Sequence, residues 1–227
     1  MPLRAIVFDF DGVIANSEPL HFQAFRAVLS ARGLAFAEHD YYARYLGFDD
    51  VGVFQAVGAE QRAGWTPARI DELVADKAVR LEALEHGASN LFPGAADAIR
   101  RAAATVPIAI ASGARGDEIR RVLNREHLAS YFTAIVAAED TPVSKPAPDP
   151  YLRALVLLAP ATGANLRGAE CVAIEDSVWG LASARSAGLK TVGVTHTYEA
   201  SALTTADLVI GGLDALDIEQ LVKVCSR

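Results

Sequence analysis

The chain has 227 residues, 52% of them hydrophobic, which suits one large domain or a core domain carrying a modest insert. Its formal charge of −7 excludes the basic footprint of a nucleic-acid binder and sets it against anionic membrane surfaces. No apolar run reaches the roughly 18 residues of a membrane span, and the start MPLRAIVFDF lacks a signal-peptide pattern. With only Cys171 and Cys225 there is no disulfide framework, so a reducing cytoplasm is the expected compartment.

The first predicted element is a strand over Ala5–Phe8, an apolar run of the kind buried on both faces in a parallel sheet. It stops at Asp9 and Asp11, and buried acids are costly unless a counter-charge meets them. From Asn16 to Ser89 no comparably clean strand occurs. The stretches EPLHFQAFRAVLSARG and ARIDELVADKAVRLEALEHG read as helices ending in glycine, which predicts a helical insert over 16–89 in a core of 1–15 and 90–227. Strand and helix then alternate. LFPGAADAIRRAAA predicts a helix with Ala95, Ala98, Ile99 and Ala102 on one stripe, and VPIAIASG a second strand. GDEIRRVLNREHL reads as an amphipathic helix, FTAIVAAED as a third strand and APDPYLRALVLLA as a helix with Pro150 near its first turn. CVAIEDS is a fourth strand, followed by a helix from about Ser177 to Gly188. KTVGVT and ADLVIGG add two strands, and LDALDIEQLVKVC closes with a helix. Such alternation predicts an α/β architecture, a Rossmann-like, doubly wound and mostly parallel sheet.

Ligands of open α/β sheets bind beyond the carboxyl ends of the strands. The first strand ends in Asp9-Phe10-Asp11-Gly12, the second in Ser112-Gly113, and the fourth in Glu175-Asp176-Ser177, while the third leads into SKPAPDP with Lys145. Strand periodicity places Asp9 and Asp11 on one side, and with Asp176 they make the hard oxygen cage that Mg²⁺ prefers. Ser112 and the amides near Gly113 can cradle an anion, and Lys145 can neutralise both an aspartate and a phosphate. Each piece alone has a plainer reading, as a turn, an N-cap or a proline-stiffened loop. Their arrival in order at one sheet edge favours the functional one.

FDFDGVI, IASGA, SKPAPDP and IEDS resemble the four motifs of the haloacid dehalogenase superfamily. DGVIANSEPLHFQAF resembles its branch with a small helical cap, which holds β-phosphoglucomutase and phosphoglycolate phosphatase-like enzymes. The resemblance implies Asp9 as the nucleophile that forms an aspartyl-phosphate, and Asp11 as the acid and base whose backbone carbonyl also meets the metal. It implies Mg²⁺ held by Asp9, Asp11 and Asp176 with support from Glu175, and phosphoryl oxygens held by Ser112, Gly113 and Lys145. Retention of Asp11 and of the acidic fourth motif favours phosphate esters over carbon–halogen or phosphonate chemistry.

In the insert, Glu18 and His21 stand three apart on one predicted helical face, where both can lean over the site. The alternative has Glu18 favouring the helix start beside Pro19 and His21 exposed. Lys77 falls where related caps carry a substrate-directed lysine; otherwise it is a solvated charge among Asp71, Glu72, Asp76 and Arg80. Trp65 and Trp179 read as packing residues. Caps like that of β-phosphoglucomutase grip a second phosphate through an arginine and serine pattern, whereas YLGFDDVGVF places Asp49 and Asp50 there. Residues 16–89 also carry a net of four negative charges. The expected function is a Mg²⁺-dependent phosphatase for a small phosphorylated metabolite. The alternative is a phosphosugar mutase, with Arg44 or Lys77 for the second phosphate. A non-catalytic binding protein would be expected to lack a motif residue, and none is missing. No nucleic-acid or membrane partner is expected, and monomer and dimer stay equally open.

Overall fold

The structure is a computed structural model and describes residues 2–46, 48–85, 89–163 and 165–226. The chain forms two compact units, Met1–Asn16 with Asn90–Arg227, and Ser17–Ser89.

The unit Ser17–Ser89 is helical among its described residues. It comprises α1 (Glu18–Ser30), α2 (Glu38–Asp40) running into a π-helical stretch at Tyr41–Tyr45, α3 (Asp50–Glu60) and α4 (Pro67–Glu85). Phe22, Phe25, Val28 and Leu29 recur at helical spacing along α1 and are buried. They meet Phe36, Tyr41, Tyr45, Phe54 and Leu73 in one aromatic-rich core. Phe25 and Phe54 meet edge to face at 5.2 Å, the arrangement that ring quadrupoles favour. The chain leaves α1 through Gly33 at φ 75°, where a side chain would be strained, and the Leu34 amide returns to the Leu29 carbonyl at 3.1 Å. The glycine predicted to end the α4 stretch, Gly87, lies outside the described residues.

The other unit is built on six parallel strands: β1 (Ala5–Phe8), β2 (Ile108–Ala111), β3 (Phe132–Val136), β4 (Cys171–Glu175), β5 (Lys190–Val194) and β6 (Leu208–Ile210). Their order is β3-β2-β1-β4-β5-β6, so the direction of winding reverses between β1 and β4. Flanking them are α5 (Ala95–Ala103), α6 (Gly116–Arg125), α7 (Asp149–Thr162), α8 (Val178–Ser186) and α9 (Ile218–Ser226). Strand alternation feeds two cores. Ile6 and Phe8 pack with Ile99 of α5, Leu123 of α6 and Leu221 of α9. Ala5 and Val7 pack on the opposite face with Tyr151 and Leu158 of α7 and Ala184 of α8. A strand buried on both faces cannot afford polar residues, which is why AIVF is apolar throughout.

Two elements are shorter than their apolar patterns. The third strand stops at Val136 because the Asp140 carboxylate takes the Ala137 amide at 2.9 Å and turns the chain into a 3₁₀ turn at Ala138–Asp140. The closing stretch splits into a 3₁₀ turn at Leu213–Ala215 and α9, with the Asp217 carboxylate accepting the Glu219 amide at 2.9 Å before α9 settles.

The starts of β1 and β4 are tied by Arg4, which donates to Glu170 at 3.1 Å and to the Thr162 carbonyl at 2.6 Å. The side-chain and backbone donors of Arg167, then Arg4, hold the Glu170 carboxyl down to about 2 against the opposing pull of burial. A carboxyl depressed by folding stabilises fully above its ordinary value near 4.5, and that contribution is lost as pH falls towards about 2. Glu170→Gln should therefore melt below the wild type at pH 7, with the gap closing between about pH 4.5 and 2; thermal denaturation across that range checks it.

Candidate active site

Parallel strands deliver all their carboxyl ends to one edge, and the reversal between β1 and β4 opens the crevice there. Asp9 follows β1 directly, its amide taking up the Ile174 carbonyl at 2.9 Å, so β1 and β4 stay paired up to the acid itself. Its carboxylate accepts the Phe10 amide at 2.7 Å and is nearly buried. Glu175 ends β4, and Asp176 follows it.

Lys145 joins them. Its ammonium lies 2.9 Å from Asp9 and 2.6 Å from Glu175, and the Tyr151 hydroxyl donates to the same Glu175 oxygen at 2.5 Å. Asp9, Glu175 and Asp176 each offer an oxygen within 4.8 Å of the others, and all three are buried. Burial and the neighbouring Asp9 push Glu175 up to about 7, against the pull of Lys145 and Tyr151. Burial, Asp9 and Glu175 likewise raise Asp176 well above the carboxylate range, while the Thr197 hydroxyl that donates to it acts the other way. For Lys145, burial alone would lower its pKa, but Asp9 and Glu175 outweigh that and raise it.

Three buried carboxylates facing one ammonium leave two formal negative charges at the sheet edge. All-oxygen donors with that charge fit a hard divalent cation such as Mg²⁺. Of the expected metal residues, Asp9, Glu175 and Asp176 form this group, and among the described residues the Asp11 carboxylate is not part of it. The reason is local: β1 ends at Phe8, so strand periodicity no longer governs Asp9 and Asp11. Asp11 instead sits in a turn bridged to Ala15, closed by the Gly12 amide on the Ala15 carbonyl at 2.9 Å. Ser112 is buried after β2, and its hydroxyl accepts the Ala114 amide at 3.2 Å. Gly113 beside it is exposed, with open space where a side chain would stand.

The cluster leaves no room for side chains at two glycines. A Cβ on Gly180 would overlap the Glu175 carboxylate, and one on Gly12 would overlap that of Asp176. Gly12 also holds φ at 74°, which L side chains resist. Pattern reading missed three polar residues here. Tyr151 was absorbed into the apolar pattern of α7, whereas Thr197 and His196 follow β5 at the same sheet edge. Extending the inspection of strand ends from the fourth strand to the fifth finds the last two.

The candidates in the helical unit have other partners. Glu18 accepts the Tyr41 hydroxyl. Lys77 is not a solvated charge: its side chain is fully buried, 2.8 Å from Asp50 and 2.8 Å from His21 Nδ1, with its ammonium 5.0 Å from the Phe25 ring centre. An ammonium only donates, so Nδ1 accepts and the ring is neutral; burial and the Lys77 charge accordingly lower the His21 pKa. The expected pair of repelling acids is largely engaged as well. Asp49 caps α3 by accepting the Gly52 amide at 2.7 Å, and Asp50 is neutralised by Lys77. Arg44 is paired with Glu60. Trp65 does pack, meeting Phe54 edge to face at 6.3 Å, but Trp179 is 53% exposed and is not a packing residue.

The profile of the haloacid dehalogenase-like hydrolases matches residues 3–188. The chain belongs to that family. It is 34% identical over 214 residues to protein CbbY of Rhodobacter capsulatus, covering 87% of this chain and 88% of CbbY. It is 30% identical over 193 residues to fructose-1-phosphate phosphatase YqaB of Escherichia coli, covering 83% of this chain and 95% of YqaB. Its fold superposes with a TM-score of 0.80 on a mutant CbbY from Rhodobacter sphaeroides crystallised with xylulose-(1,5)bisphosphate, at 25% identity, over 94% of this chain and 96% of CbbY. This member of the haloacid dehalogenase-like hydrolases is an enzyme.

Glu175 is fully buried and held by Lys145 and Tyr151, so it cannot swing aside for an intruding methyl group. Gly180→Ala should therefore stay folded by circular dichroism while losing about 10²-fold in turnover, the scale of a 1 Å misplacement. Steady-state kinetics on the purified variant reads this out.

Proposed function

We propose that the protein is a Mg²⁺-dependent phosphatase of a small phosphorylated carbohydrate, working through an aspartyl-phosphate on Asp9 in the cytoplasm. The observation that carries this reading is Asp9 itself, a nearly buried carboxylate at the sheet's switch point, 2.9 Å from Lys145 and grouped with Glu175 and Asp176. A bound Mg²⁺ would supply charge neutralisation between an anionic nucleophile and an anionic phosphate, held by Asp9, Asp176 and the Asp11 backbone carbonyl with Glu175 in support.

In this reading Asp9 attacks the phosphorus while Asp11 gives a proton to the departing alcohol. Asp11 then takes a proton from the water that hydrolyses the acyl phosphate. Ser112, the Gly113 amide and Lys145 hold the phosphoryl oxygens. The unit Ser17–Ser89 serves as the cap that selects the substrate; Glu18 and His21 are its candidates, whereas Lys77, buried against Asp50, holds the His21 ring in place. Sugar phosphates are supported by the similarity to the fructose-1-phosphate phosphatase YqaB and by the xylulose bisphosphate bound to the similar CbbY. Phosphatase is favoured over mutase because Lys77 and Arg44, the cations a second phosphate would call on, are already held by Asp50 and Glu60.

A phosphate-release screen over sugar phosphates, sugar bisphosphates, phosphoglycolate, nucleotides and polyol phosphates should find a sugar-based substrate. Excess chelator should abolish turnover and Mg²⁺ restore it, with Ca²⁺ inhibiting through its looser coordination. Asp9→Asn should fold normally and lose at least ~10³-fold in turnover; a variant keeping a tenth of wild-type activity overturns the mechanism. With β-glucose 1-phosphate and a trace of its bisphosphate, inorganic phosphate should appear faster than glucose 6-phosphate. The reverse order in a coupled assay would make the enzyme a mutase.

A further inference from the structure

The stretch Thr195–Thr197, just beyond β5, touches three parts of the site at once. The Thr197 hydroxyl donates to Asp176 Oδ2, which leaves the other carboxylate oxygen for a further partner. His196 Nδ1 lies 2.9 Å from the Gly12 carbonyl. A carbonyl only accepts, so Nδ1 carries the proton and donates. Gly12 belongs to the same turn as Asp11, whose bridge to Ala15 closes it. A Cβ on Gly12 would overlap Asp176 and stand 3.0 Å from the Thr197 hydroxyl, so the turn, the acid and the stretch pack without a gap.

The imidazole is fixed from a second side. Its ring stacks on Phe92 at 3.8 Å between centres and 13° between planes. The Phe92 amide donates to the Ile14 carbonyl at 2.9 Å, and Ala15 pairs with Leu91, so Phe92 marks where the chain re-enters this unit. On the other flank, the Thr195 amide reaches the Ile210 carbonyl at 3.1 Å and anchors the stretch to β6. Gly212 leaves space for the ring, since a Cβ there would lie 3.0 Å from His196 Nε2.

We infer that Thr197 and His196 are positioning residues of the catalytic centre: Thr197 orients Asp176 for the metal, and His196 fixes the turn that carries Asp11. The inference rests on the functional reading above. It extends that reading to a fifth strand end, from which no side chain was assigned a role. Groups that orient a metal's carboxylate ligands are worth about 10–100-fold in metal affinity or activity.

Calorimetric titration of Mg²⁺ into the purified chain tests Thr197 without turnover. Thr197→Val keeps the shape and removes the donor; it should weaken Mg²⁺ binding about 10–100-fold, with the substrate KM at saturating Mg²⁺ unchanged. Thr197→Ser restores the hydroxyl and should recover most of the affinity. Equal Mg²⁺ affinity in Thr197→Val and wild type overturns the role of Thr197, and so does a failure of Ser to rescue. For His196, Phe preserves the stack and removes the donor, whereas Asn preserves a donor near Nδ1 and removes the stack. His196→Phe should lose about 10–100-fold in kcat and His196→Asn less; equal kcat in Phe and wild type overturns this half. Should Thr197→Val fail to fold, the Ser variant and the His196 pair decide between these outcomes. Wild-type protein that binds no Mg²⁺ refutes the metal reading itself, a result distinct from a wild type that binds and a Val variant that binds equally.

Discussion

One buried ammonium organises the sheet edge. Lys145 lies within 2.9 Å of Asp9 and 2.6 Å of Glu175, and without it three buried neighbouring carboxylates would have no cation among the described residues to face them. Removing one partner from such a buried set costs several kcal/mol, because it leaves a buried charge uncompensated. Lys145 compensates the group only in part. Burial, then the neighbouring negative charge, raises Glu175 and Asp176, and that residual charge makes the site a receptor for a cation.

The surrounding residues accommodate that cluster. Tyr151 reaches Glu175 from α7, on the face of the sheet where its ring also packs with Val7 and Ala173. Gly180 and Gly12 leave out the side chains that would strike Glu175 and Asp176. Each contributor comes from a different strand end or its following helix. Their meeting therefore depends on the parallel order β3-β2-β1-β4-β5-β6 rather than on any local motif.

A second buried lysine shows the opposite balance. Among the described residues, Lys77 meets one carboxylate, Asp50, together with the neutral imidazole of His21 and the face of Phe25. One cation against one anion, with a π-face completing the shell, is a settled arrangement that calls for no further ion. The same side chain thus stands in an excess of acids at Lys145 and in a balanced pair at Lys77, and the number of neighbouring acids separates them.

The sequence alone determined the α/β class and its parallel sheet, because apolar runs such as AIVF and CVAIE record burial on two faces directly in residue type. It also determined the family, since the four motifs keep their order along the chain. Which carboxylates converge was decided by tertiary structure: β1 stops just before Asp9, so strand alternation does not extend to Asp11, and Asp9, Glu175 and Asp176 form the group. Partnerships were equally illegible. Lys77 with Asp50, Tyr151 with Glu175 and Thr197 with Asp176 join residues on separate elements, and Trp179, apolar by type, stands in solvent. Periodicity encodes which face of an element is buried. What a polar group on that face meets is set by the element packed against it, which the sequence does not place until the chain has folded.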